Sequence, residues 1–373
     1  MRTHLSFSSL YLDVTERCNF ACDYCYKHDM NNERLTEEMG KKILWWFFEQ
    51  NRTELLEVIC MGGEPLLEVD LICRLVDWTK TVRDFPVKWG MSSNLSLLTK
   101  RVATELKQRN IGIHGSVDGI KEVHDAHRKK KDGTGTWDSV VETIPLVLEV
   151  SPKNPVLYTI HPESVQYVQK GIAHLFELGF RSVHTGLVFC FGGWTYERLV
   201  ALDNQMGKIS DWFVDMCLNC SWVPRVKWIF DGLRSLLNPT VREHLCGAGH
   251  NMIASDVRGS LYPCYRYSGV NTQCEFSRLG NVFVGISQDK RTIFEDFTLS
   301  KECFRCENIF FCNAVCSAER WAVSRDFHSL SYAMCTYSRL VRKWITYIHA
   351  RLCGSLSHTY QREVLRRFIF RSV

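Results

Sequence analysis

The chain has 373 residues, 45% of them hydrophobic, which is enough for one large domain and a smaller one. Its net charge of +5 is mild, and basic residues are not interleaved with aromatic ones, which argues against nucleic-acid binding. No apolar run approaches the roughly 18 residues that cross a membrane, and Met1–His4 lead straight into the first strand without a signal peptide. We therefore expect a cytoplasmic protein with no membrane or nucleic-acid partner.

Strand-like and helix-like patterns alternate from residue 8 to about residue 190. Six strands are predicted, at Ser9–Val14, Leu56–Met61, Val87–Ser92, Gly112–Val117, Pro155–Ile160 and Ser182–Phe189. Five helical patterns lie between them, at Glu33–Asn51, Glu68–Val82, Thr99–Asn110, Trp137–Val150 and Val165–Gly179. This alternation predicts an α/β domain with a mostly parallel sheet and helices on its outer face.

The second half of the chain has a different character. A helical stretch from about Trp194 to Leu237 is followed by residues 246–335, which are rich in Gly, Cys and short turns. We expect a loop-rich domain here whose core depends on bound metal. Two helices, Tyr337–Cys353 and His358–Phe370, end the chain, and the predicted domains are 1–237, 238–336 and 337–373.

Three cysteines directly follow the first predicted strand. Cys18, Cys22 and Cys25 have the spacing C-x3-C-x2-C. Three thiolates on one loop can hold three corners of a cubic iron–sulfur cluster and leave one iron open, and substrates bind at open metal positions. The loop lies at the carboxyl end of a strand, where α/β folds place active sites. The spacing alone also fits a zinc loop or free thiols.

Polar motifs follow the next three strands. Gly62-Gly63-Glu64-Pro65 comes after the second strand, where glycines allow close backbone approach and a carboxylate can accept from an ammonium group. Ser92-Ser93-Asn94 ends the third strand. Ser116-Val117-Asp118-Gly119 ends the fourth, and His124–Arg128, with the sequence HDAHR, follows it. An arginine suits recognition of a carboxylate because its planar fork binds bidentately.

A second group of cysteines lies in the loop-rich region. Its core has the spacing C-x2-C-x5-C-x3-C, which is typical of metal ligands in a reducing compartment. A zinc ribbon is the alternative reading of this core. The group comprises Cys246, Cys264, Cys303, Cys306, Cys312, Cys316 and Cys335.

Together these motifs resemble those of radical S-adenosylmethionine (SAM) enzymes with a C-terminal SPASM domain. The resemblance is to the branch that modifies peptides and proteins, which includes anaerobic sulfatase-maturing enzymes and ribosomal-peptide maturases. It implies a partial (β/α)6 barrel, then a small loop-rich iron–sulfur domain and C-terminal helices. It also implies three [4Fe–4S] clusters and SAM as cofactors.

The resemblance assigns the first cluster to Cys18, Cys22 and Cys25, with SAM on its open iron. It places Tyr24 near the SAM adenine, and Ser116 and Arg128 at the SAM carboxylate. Relatives have a glycine where this chain has Leu95, so the backbone around Asn94 is expected to differ. Leu187 is explained equally by an adenine contact and by the core. The implied SAM-binding residues are Tyr24, Gly62, Gly63, Glu64, Pro65, Asn94, Ser116, Asp118, Arg128 and Leu187.

The resemblance also assigns two auxiliary clusters. The distal cluster would be held by Cys303, Cys306, Cys312 and Cys335, and the proximal one by Cys246, Cys264 and Cys316. Fully ligated relatives have one more cysteine shortly before the position of Cys246, and this chain has none there. The proximal cluster therefore either has an open iron or borrows a ligand, the candidates being Cys220, Cys274, His244 and His250.

Tyr265 marks a departure from the sulfatase-maturing branch. That branch has an aspartate, acting as general base, directly after the cysteine that corresponds to Cys264. A tyrosine can take or relay a proton only if its pKa of about 10 is lowered. The departure favours an enzyme acting on ribosomally made precursor peptides, with Tyr265 as a candidate catalytic residue.

The resemblance predicts that a 5′-deoxyadenosyl radical removes hydrogen from a peptide carbon, leading to a crosslink or an oxidised side chain. The expected partners are a precursor peptide or protein and a low-potential electron donor such as a flavodoxin or ferredoxin. Two rivals stay open: a non-catalytic iron–sulfur carrier, and an enzyme acting on a small molecule such as a sugar. The basic segment Arg339–Arg371 predicts either a solvated face or a docking surface for an acidic leader peptide.

Overall fold

In a computed structural model, the described residues form two compact units that are interleaved along the chain. Residues 7–27, 31–51, 55–188, 192–220, 222–239, 246–269, 277–295, 301–312, 316–326, 329 and 331–355 are described. The first unit comprises Met1–Val117, His124–Asn154 and His244–Thr298; the second comprises Asp118–Val123, Pro155–Glu243 and Leu299–Val373. None of the described helices is long and apolar enough to span a membrane. The three-domain division stays a prediction.

The first unit is built on an eight-stranded sheet in the order β11-β10-β9-β8-β1-β2-β3-β4. The first four strands in the chain run parallel to one another, and β8 adds in parallel to the free side of β1. The remaining three continue the sheet antiparallel. The strands are β1 (Ser9–Thr15), β2 (Leu56–Gly62), β3 (Val87–Ser93), β4 (Ile111–Gly115), β8 (Met252–Ser255), β9 (Ser260–Tyr262), β10 (Gly280–Asn281) and β11 (Gly285–Ile286).

Part of the predicted loop-rich domain belongs to this same sheet. Residues 252–255 pair with residues 9–12 of β1, so the segment around Cys246 and Cys264 is anchored on the first strand of the chain. Leu10 and Leu12 of β1 and Ile253 of β8 are fully buried, because β1 is an interior strand. The sequence did not reveal this pairing, since β8 has only four residues and the strands that follow it are shorter still.

Helices α1 to α6 and α10 accompany this sheet in the chain. Thr36 and Thr99 cap α1 and α3, their hydroxyls accepting from the amides of Met39 and Val102. The predicted helix Trp137–Val150 is two helices, because Pro145 has no amide hydrogen to continue the first one. The helices are α1 (Glu37–Glu49), α2 (Val69–Val82), α3 (Lys100–Gln108), α4 (Lys121–His127), α5 (Trp137–Val141), α6 (Ile144–Val150) and α10 (Gln288–Glu295).

The second unit contains a three-stranded parallel sheet, β5-β6-β7. The six strands predicted for the barrel are therefore divided, four in the first sheet and two in this one. Gly179 follows α7 with a φ of 103°, as predicted for a helix-ending glycine. The elements are β5 (Val156–Ile160), β6 (Ser182–Leu187), β7 (Arg225–Val226), α7 (Val168–Glu177), α8 (Tyr196–Asn219), α9 (Lys227–Leu237), α11 (Lys301–Phe304), α12 (Ser317–Ser324) and α13 (Tyr332–Ser355).

The long helices α8, α9 and α13 pack together in the second unit. Gly207 of α8 lies under Trp344 and Gly232 of α9 under Ile345, at distances that leave no room for a larger side chain. The predicted helix Tyr337–Cys353 is thus confirmed and extended at both ends. The predicted helix His358–Phe370 lies outside the described residues.

Candidate active site

The three-cysteine loop leaves the end of β1 and is held on both sides by backbone hydrogen bonds. On one side, Ala21 N donates to Lys129 O at 2.7 Å and Asp23 N to His127 O at 3.2 Å. Within the loop, Cys25 N donates to Cys22 O at 3.1 Å, which closes a turn between two of the cysteines. The loop is therefore fixed by the protein backbone independently of any metal.

On the other side, the two glycines at the end of β2 meet the beginning of the loop. Gly63 N donates to Thr15 O at 2.8 Å, and Glu64 N donates to Arg17 O at 2.9 Å. A Cβ atom on Gly62 or Gly63 would lie 2.1 Å from a backbone oxygen of Thr15 or Arg17. Both glycines are thus required by the close approach of the two backbones. Pro65 begins the short helix that follows.

The Glu64 carboxylate joins the ends of β2 and β3. Its oxygens accept from Leu66 N at 3.0 Å, from Ser93 Oγ at 2.7 Å and from Asn94 N at 2.7 Å. The side chain is almost fully buried, and burial raises its pKa while these donors and Arg128 counteract that effect. Glu64 therefore acts on the site by fixing two strand ends.

Asn94 lies directly beside the cysteine loop, where sequence reasoning placed a SAM contact. Its Nδ2 donates to Asn19 Oδ1 at 2.9 Å and approaches Cys18 Sγ at 3.9 Å. Its Oδ1 accepts from the amide and hydroxyl of Ser96, and Ser96 also bonds Asn19. The sequence analysis missed Asn19, because it is a variable position of the C-x3-C spacing, and Ser96, because it stands in no recognisable motif.

Leu95 adopts the left-handed backbone conformation, with a φ of 71°, although it is not a glycine. The expected difference from relatives in the backbone around Asn94 stays a prediction. The Leu95 side chain is fully buried and packs against Gly115, where a Cβ would lie 2.5 Å from Leu95 Cδ1. A glycine on the neighbouring strand thus makes room for the leucine.

The thiols of the loop are half-buried, and that of Cys18 already accepts hydrogen bonds. Phe20 N donates to Cys18 Sγ at 3.4 Å, in addition to the Asn94 contact. Burial raises the pKa of Cys18 to about 11 and also raises the pKa of Cys25. A bound metal is what keeps such thiols ionised, and amide donors to sulfur are typical of cluster ligands, so the donor set fits an iron–sulfur cluster.

Arg128 and Tyr24, two of the predicted SAM contacts, are brought together. The Arg128 guanidinium lies over the Tyr24 ring, 5.3 Å from its centroid. Arg128 is 7% exposed, and its charge lowers the pKa of both Cys25 and Glu64 against the larger effect of burial. A guanidinium here can meet an anionic group bound close to the cysteine loop.

The other residues that are predicted to contact SAM do not all belong to the same unit. Ser116 follows β4 in the first unit, and its amide donates to Ser93 O at 2.9 Å. Asp118 and Leu187 belong to the second unit. Asp118 is fully buried and accepts from Thr159 N at 2.9 Å, while Leu187 is a buried residue at the end of β6. Their contact with SAM stays a prediction.

Tyr265 packs in an aromatic cluster next to the cysteine loop. Its ring centroid lies 4.8 Å from that of Tyr11 and 6.0 Å from that of Tyr26, the residue after Cys25. Close by, the buried Lys27 ammonium binds the Asp13 carboxylate and Ser268 Oγ. The loop is thereby tied both to β1 and to the short helix Tyr265–Ser268 that follows Cys264.

The three predicted proximal ligands belong to different units, so their assignment to one cluster stays a prediction. Cys246 and Cys264 belong to the first unit, where Gly249 N donates to Pro263 O at 2.9 Å, and Cys316 precedes α12 in the second unit. Of the candidates for a fourth ligand, Cys220 ends α8 and is exposed, and His250 lies in an exposed turn. Cys274 and His244 lie outside the described residues.

The four predicted distal ligands line a single cavity. Cys303, Cys306, Cys312 and Cys335 border a space of about 180 Å³ in the second unit. Asn308 Nδ2 approaches Cys306 Sγ at 3.7 Å, and Ser338 Oγ approaches Cys312 Sγ at 3.9 Å. Four thiols around one cavity, with donors to two of the sulfurs, fit a fully ligated cluster.

The other cysteines and the basic segment mostly have structural roles. Cys60, Cys73 and Cys217 are buried, as expected of thiols that act as small apolar groups. On α13, Arg342, Lys343 and Arg351 form ion pairs with Glu307, Asp203 and Asp211, respectively. This pairing favours a solvated, charge-balanced face over a docking surface for the described part of the segment.

Comparison with known proteins gives a family. A family model described as "Radical SAM superfamily" matches residues 12–205. The curated protein MJ0907 of Methanocaldococcus jannaschii is 24% identical over 180 residues, covering 48% of this chain and 62% of that protein. The radical SAM cyclopropyl synthase TigE of Paramaledivibacter caminithermalis is 20% identical over 92% of this chain and 75% of its own length. A cysteine-type anaerobic sulfatase-maturating enzyme of Clostridium novyi is 25% identical, covering 70% and 74%.

Solved structures share the fold. Native anSMEcpe with bound AdoMet superposes with a TM-score of 0.78 at 18% identity, covering 92% of this chain and 99% of that one. Streptococcus suis SuiB bound to the precursor peptide SuiA gives a TM-score of 0.60 at 14% identity, covering 88% and 76%. The expected fold class is thus confirmed.

Proposed function

Because this chain belongs to the radical SAM superfamily, we propose that it is an enzyme that uses a 5′-deoxyadenosyl radical to modify a peptide. The observation that carries the proposal is the convergence of Asn94, Arg128 and the two glycines on the loop of Cys18, Cys22 and Cys25. A non-catalytic iron–sulfur carrier needs no such surroundings. The alternative hypothesis of a non-catalytic iron–sulfur carrier is therefore disfavoured.

The residues of the first unit have separable roles in this proposal. When bound, a [4Fe–4S] cluster with an open iron and SAM supply one-electron cleavage of SAM to the 5′-deoxyadenosyl radical. Cys18, Cys22 and Cys25 would hold that cluster. Arg128 would bind the SAM carboxylate, with Tyr24 fixing the guanidinium plane, and Glu64 would keep the ends of β2 and β3 in place.

A peptide substrate is supported by the relatives rather than by a contact in the structure. SuiB is bound to a precursor peptide in its solved structure. The sulfatase-maturating enzymes are named for a protein substrate. We propose a ribosomally made precursor peptide as substrate, with a new crosslink or an oxidised side chain as product. A low-potential flavodoxin or ferredoxin would supply electrons, and the cytoplasm is the compartment where such donors operate.

The second candidate is formylglycine formation of the sulfatase-maturing type. The high coverage of anSMEcpe favours it, since 99% of that chain superposes. Tyr265 opposes it, because that branch has a carboxylate as base, and Tyr11 and Tyr26 surround the Tyr265 ring. We keep precursor-peptide modification as the main proposal.

The proposal is tested with anaerobically reconstituted protein and peptides encoded by neighbouring reading frames. We expect about twelve irons, four for each of three clusters, and formation of 5′-deoxyadenosine from SAM. A peptide that loses two hydrogens without gaining a hydrazide-reactive carbonyl indicates a crosslink, and a new carbonyl indicates formylglycine. The Cys18→Ala/Cys22→Ala/Cys25→Ala variant is the control, and SAM cleavage by it would contradict the assignment.

The role of Tyr265 has its own test. Tyr265→Phe removes the hydroxyl and keeps the ring that packs on Tyr11 and Tyr26. If Tyr265 relays a proton, peptide product should form more slowly while 5′-deoxyadenosine formation is unchanged. Equal loss of both rates would assign Tyr265 to packing.

A further inference from the structure

The cavity of the four distal cysteines is also lined by two arginines, Arg320 and Arg339. Arg320 lies in α12, one turn after Cys316, and its amide donates to Cys316 O at 3.1 Å. Arg339 lies on α13 four residues after Cys335, and residues four apart share one face of a helix. Helix α12, which follows Cys316, and helix α13, which carries Cys335, thus bring two guanidinium groups to the cavity.

The two arginines differ in burial. Arg320 is 2% exposed and is among the largest fully buried side chains of the described residues, whereas Arg339 is exposed. Both guanidinium groups border the cavity that the four cysteines line, so both charges lie close to a cluster bound there. Charge in a buried position is screened less by water and salt than charge at the surface.

A cluster with four thiolate ligands is anionic, and it gains a further negative charge when it takes up one electron. Nearby positive charge and hydrogen bonds to sulfur favour the reduced form, since both interact more strongly with the larger negative charge. Asn308 and Ser338 provide such hydrogen bonds to Cys306 and Cys312. Every one of these contributions acts in the same direction.

We infer that the buried guanidinium of Arg320 raises the midpoint reduction potential of the cluster held by Cys303, Cys306, Cys312 and Cys335. Arg320 thus acts on this cluster through its charge and favours the form reduced by one electron. The inference deepens the proposed function and rests on it, because it requires that the four cysteines hold a cluster. It does not depend on the identity of the peptide.

Two acidic residues lie close to this charge. Glu302 borders the cavity and is exposed, so water screens its carboxylate. Glu319 is buried and precedes Arg320 in α12, but consecutive residues of a helix do not face each other. Cys335, Ser338 and Arg339 form the α13 side of the cavity and add no negative charge to it beyond the thiolate.

The experiment measures the midpoint potential of the distal cluster by redox titration followed by electron paramagnetic resonance. Full-length protein with Cys18, Cys22 and Cys25 replaced by Ala simplifies the spectrum by removing the first cluster. In that background, Arg320→Gln should lower the midpoint potential and shift the reduced-to-oxidised equilibrium about tenfold, which is about 59 mV for one electron. Dithionite is the reductant, and iron content is measured on each sample.

Matched variants separate charge from packing. Arg320→Lys keeps a positive charge, so its midpoint potential should stay close to that of the parent protein. Arg339→Gln should lower the midpoint potential less than Arg320→Gln does, and this shift should shrink as salt is added. An unchanged midpoint in Arg320→Gln at full iron content would overturn the inference and leave the proposed function standing. Equal shifts in Arg320→Lys and Arg320→Gln would also overturn it.

The outcome remains decisive if Arg320→Gln fails to retain its iron. Arg339→Glu then places a negative charge at an exposed position on the same cavity, and the midpoint should fall. An unchanged midpoint in Arg339→Glu contradicts the electrostatic account. Absence of any distal cluster from the parent protein contradicts the proposed function instead, so the two failures are distinguishable.

Discussion

The three-cysteine loop and the four-cysteine cavity are built in opposite ways. The loop stands at the end of a buried strand and is fixed by backbone bonds, by the glycines at the end of β2 and by the Asn94 network. The cavity is enclosed by helices of four and eight residues and one face of α13, and none of residues 302–312 is buried. The first region is organised by the polypeptide, whereas the second has little core without a bound group.

This difference corresponds to different chemical demands. A site that leaves one iron open must hold SAM at a defined position, so neighbouring strand ends have to be fixed beforehand. A site with four ligands needs only to bring four sulfurs together, and the metal itself then supplies the folding free energy. The comparison therefore predicts that metal is dispensable for the structure of one region and required for the other.

Removal of iron should have the largest effect. In chelator-treated protein, amides of residues 303–312 should exchange rapidly with deuterium, because no buried side chains hold that segment. Amides of β1, β2 and β3 should stay protected, since a buried parallel sheet holds them. Hydrogen–deuterium exchange with mass spectrometry makes the measurement, and equal deprotection of both regions would remove the distinction.

A single substitution sharpens the same point. Cys335→Ser should lose about four irons, one cluster's content, and lower the melting temperature. Cys353→Ser is the matched control, because Cys353 is also half-buried on α13 but lies outside the predicted ligand sets. Iron analysis and calorimetry of both variants are the readouts, and an identical result for the two would mean that Cys335 is not a ligand.

Breaking the buried ion pair between Lys27 and Asp13 should have the next largest effect, on the free energy of unfolding. Lys27→Met should leave the Asp13 carboxylate buried and uncompensated, at a cost of about 3–5 kcal/mol in the free energy of unfolding. Lys88→Met breaks the exposed pair with Glu57 and should cost less than about 1 kcal/mol. Denaturant titration compares them. Similar losses for both lysines would show that the loop does not depend on its buried anchor.

The smallest effect concerns Leu95, at the position where the family resemblance implied a glycine. Gly115→Ala should destabilise the protein, because the new Cβ meets Leu95 Cδ1 at 2.5 Å. The double variant Leu95→Gly/Gly115→Ala should be less unstable than the sum of the single changes, by about 0.5–3 kcal/mol. A double-mutant cycle in denaturant measures this coupling, and strict additivity would mean that the two positions do not compensate each other.

The parts of the molecule also differ in how much of their structure could be predicted from the sequence. Strands β1 to β6 were predicted within one or two residues, because their apolar runs are bounded by turns. The assignment of the cysteines to clusters came from the family resemblance and stays a prediction. The pairing of β8 with β1 was not predictable, since four residues carry too little pattern to reveal a partner more than 200 positions away. Lys27, Asn19 and Arg320 likewise needed the structure, because no local motif marks a contact between distant segments.

The most direct test of the account is electron paramagnetic resonance of the reduced protein with and without SAM. The account predicts that SAM changes the spectrum of one cluster, since only the loop of Cys18, Cys22 and Cys25 is assigned an open iron that binds SAM. The Cys18→Ala/Cys22→Ala/Cys25→Ala variant should keep its auxiliary signals and show no response to SAM. A spectrum that SAM leaves unchanged in the parent protein, or a response that persists in the variant, would contradict the central claim.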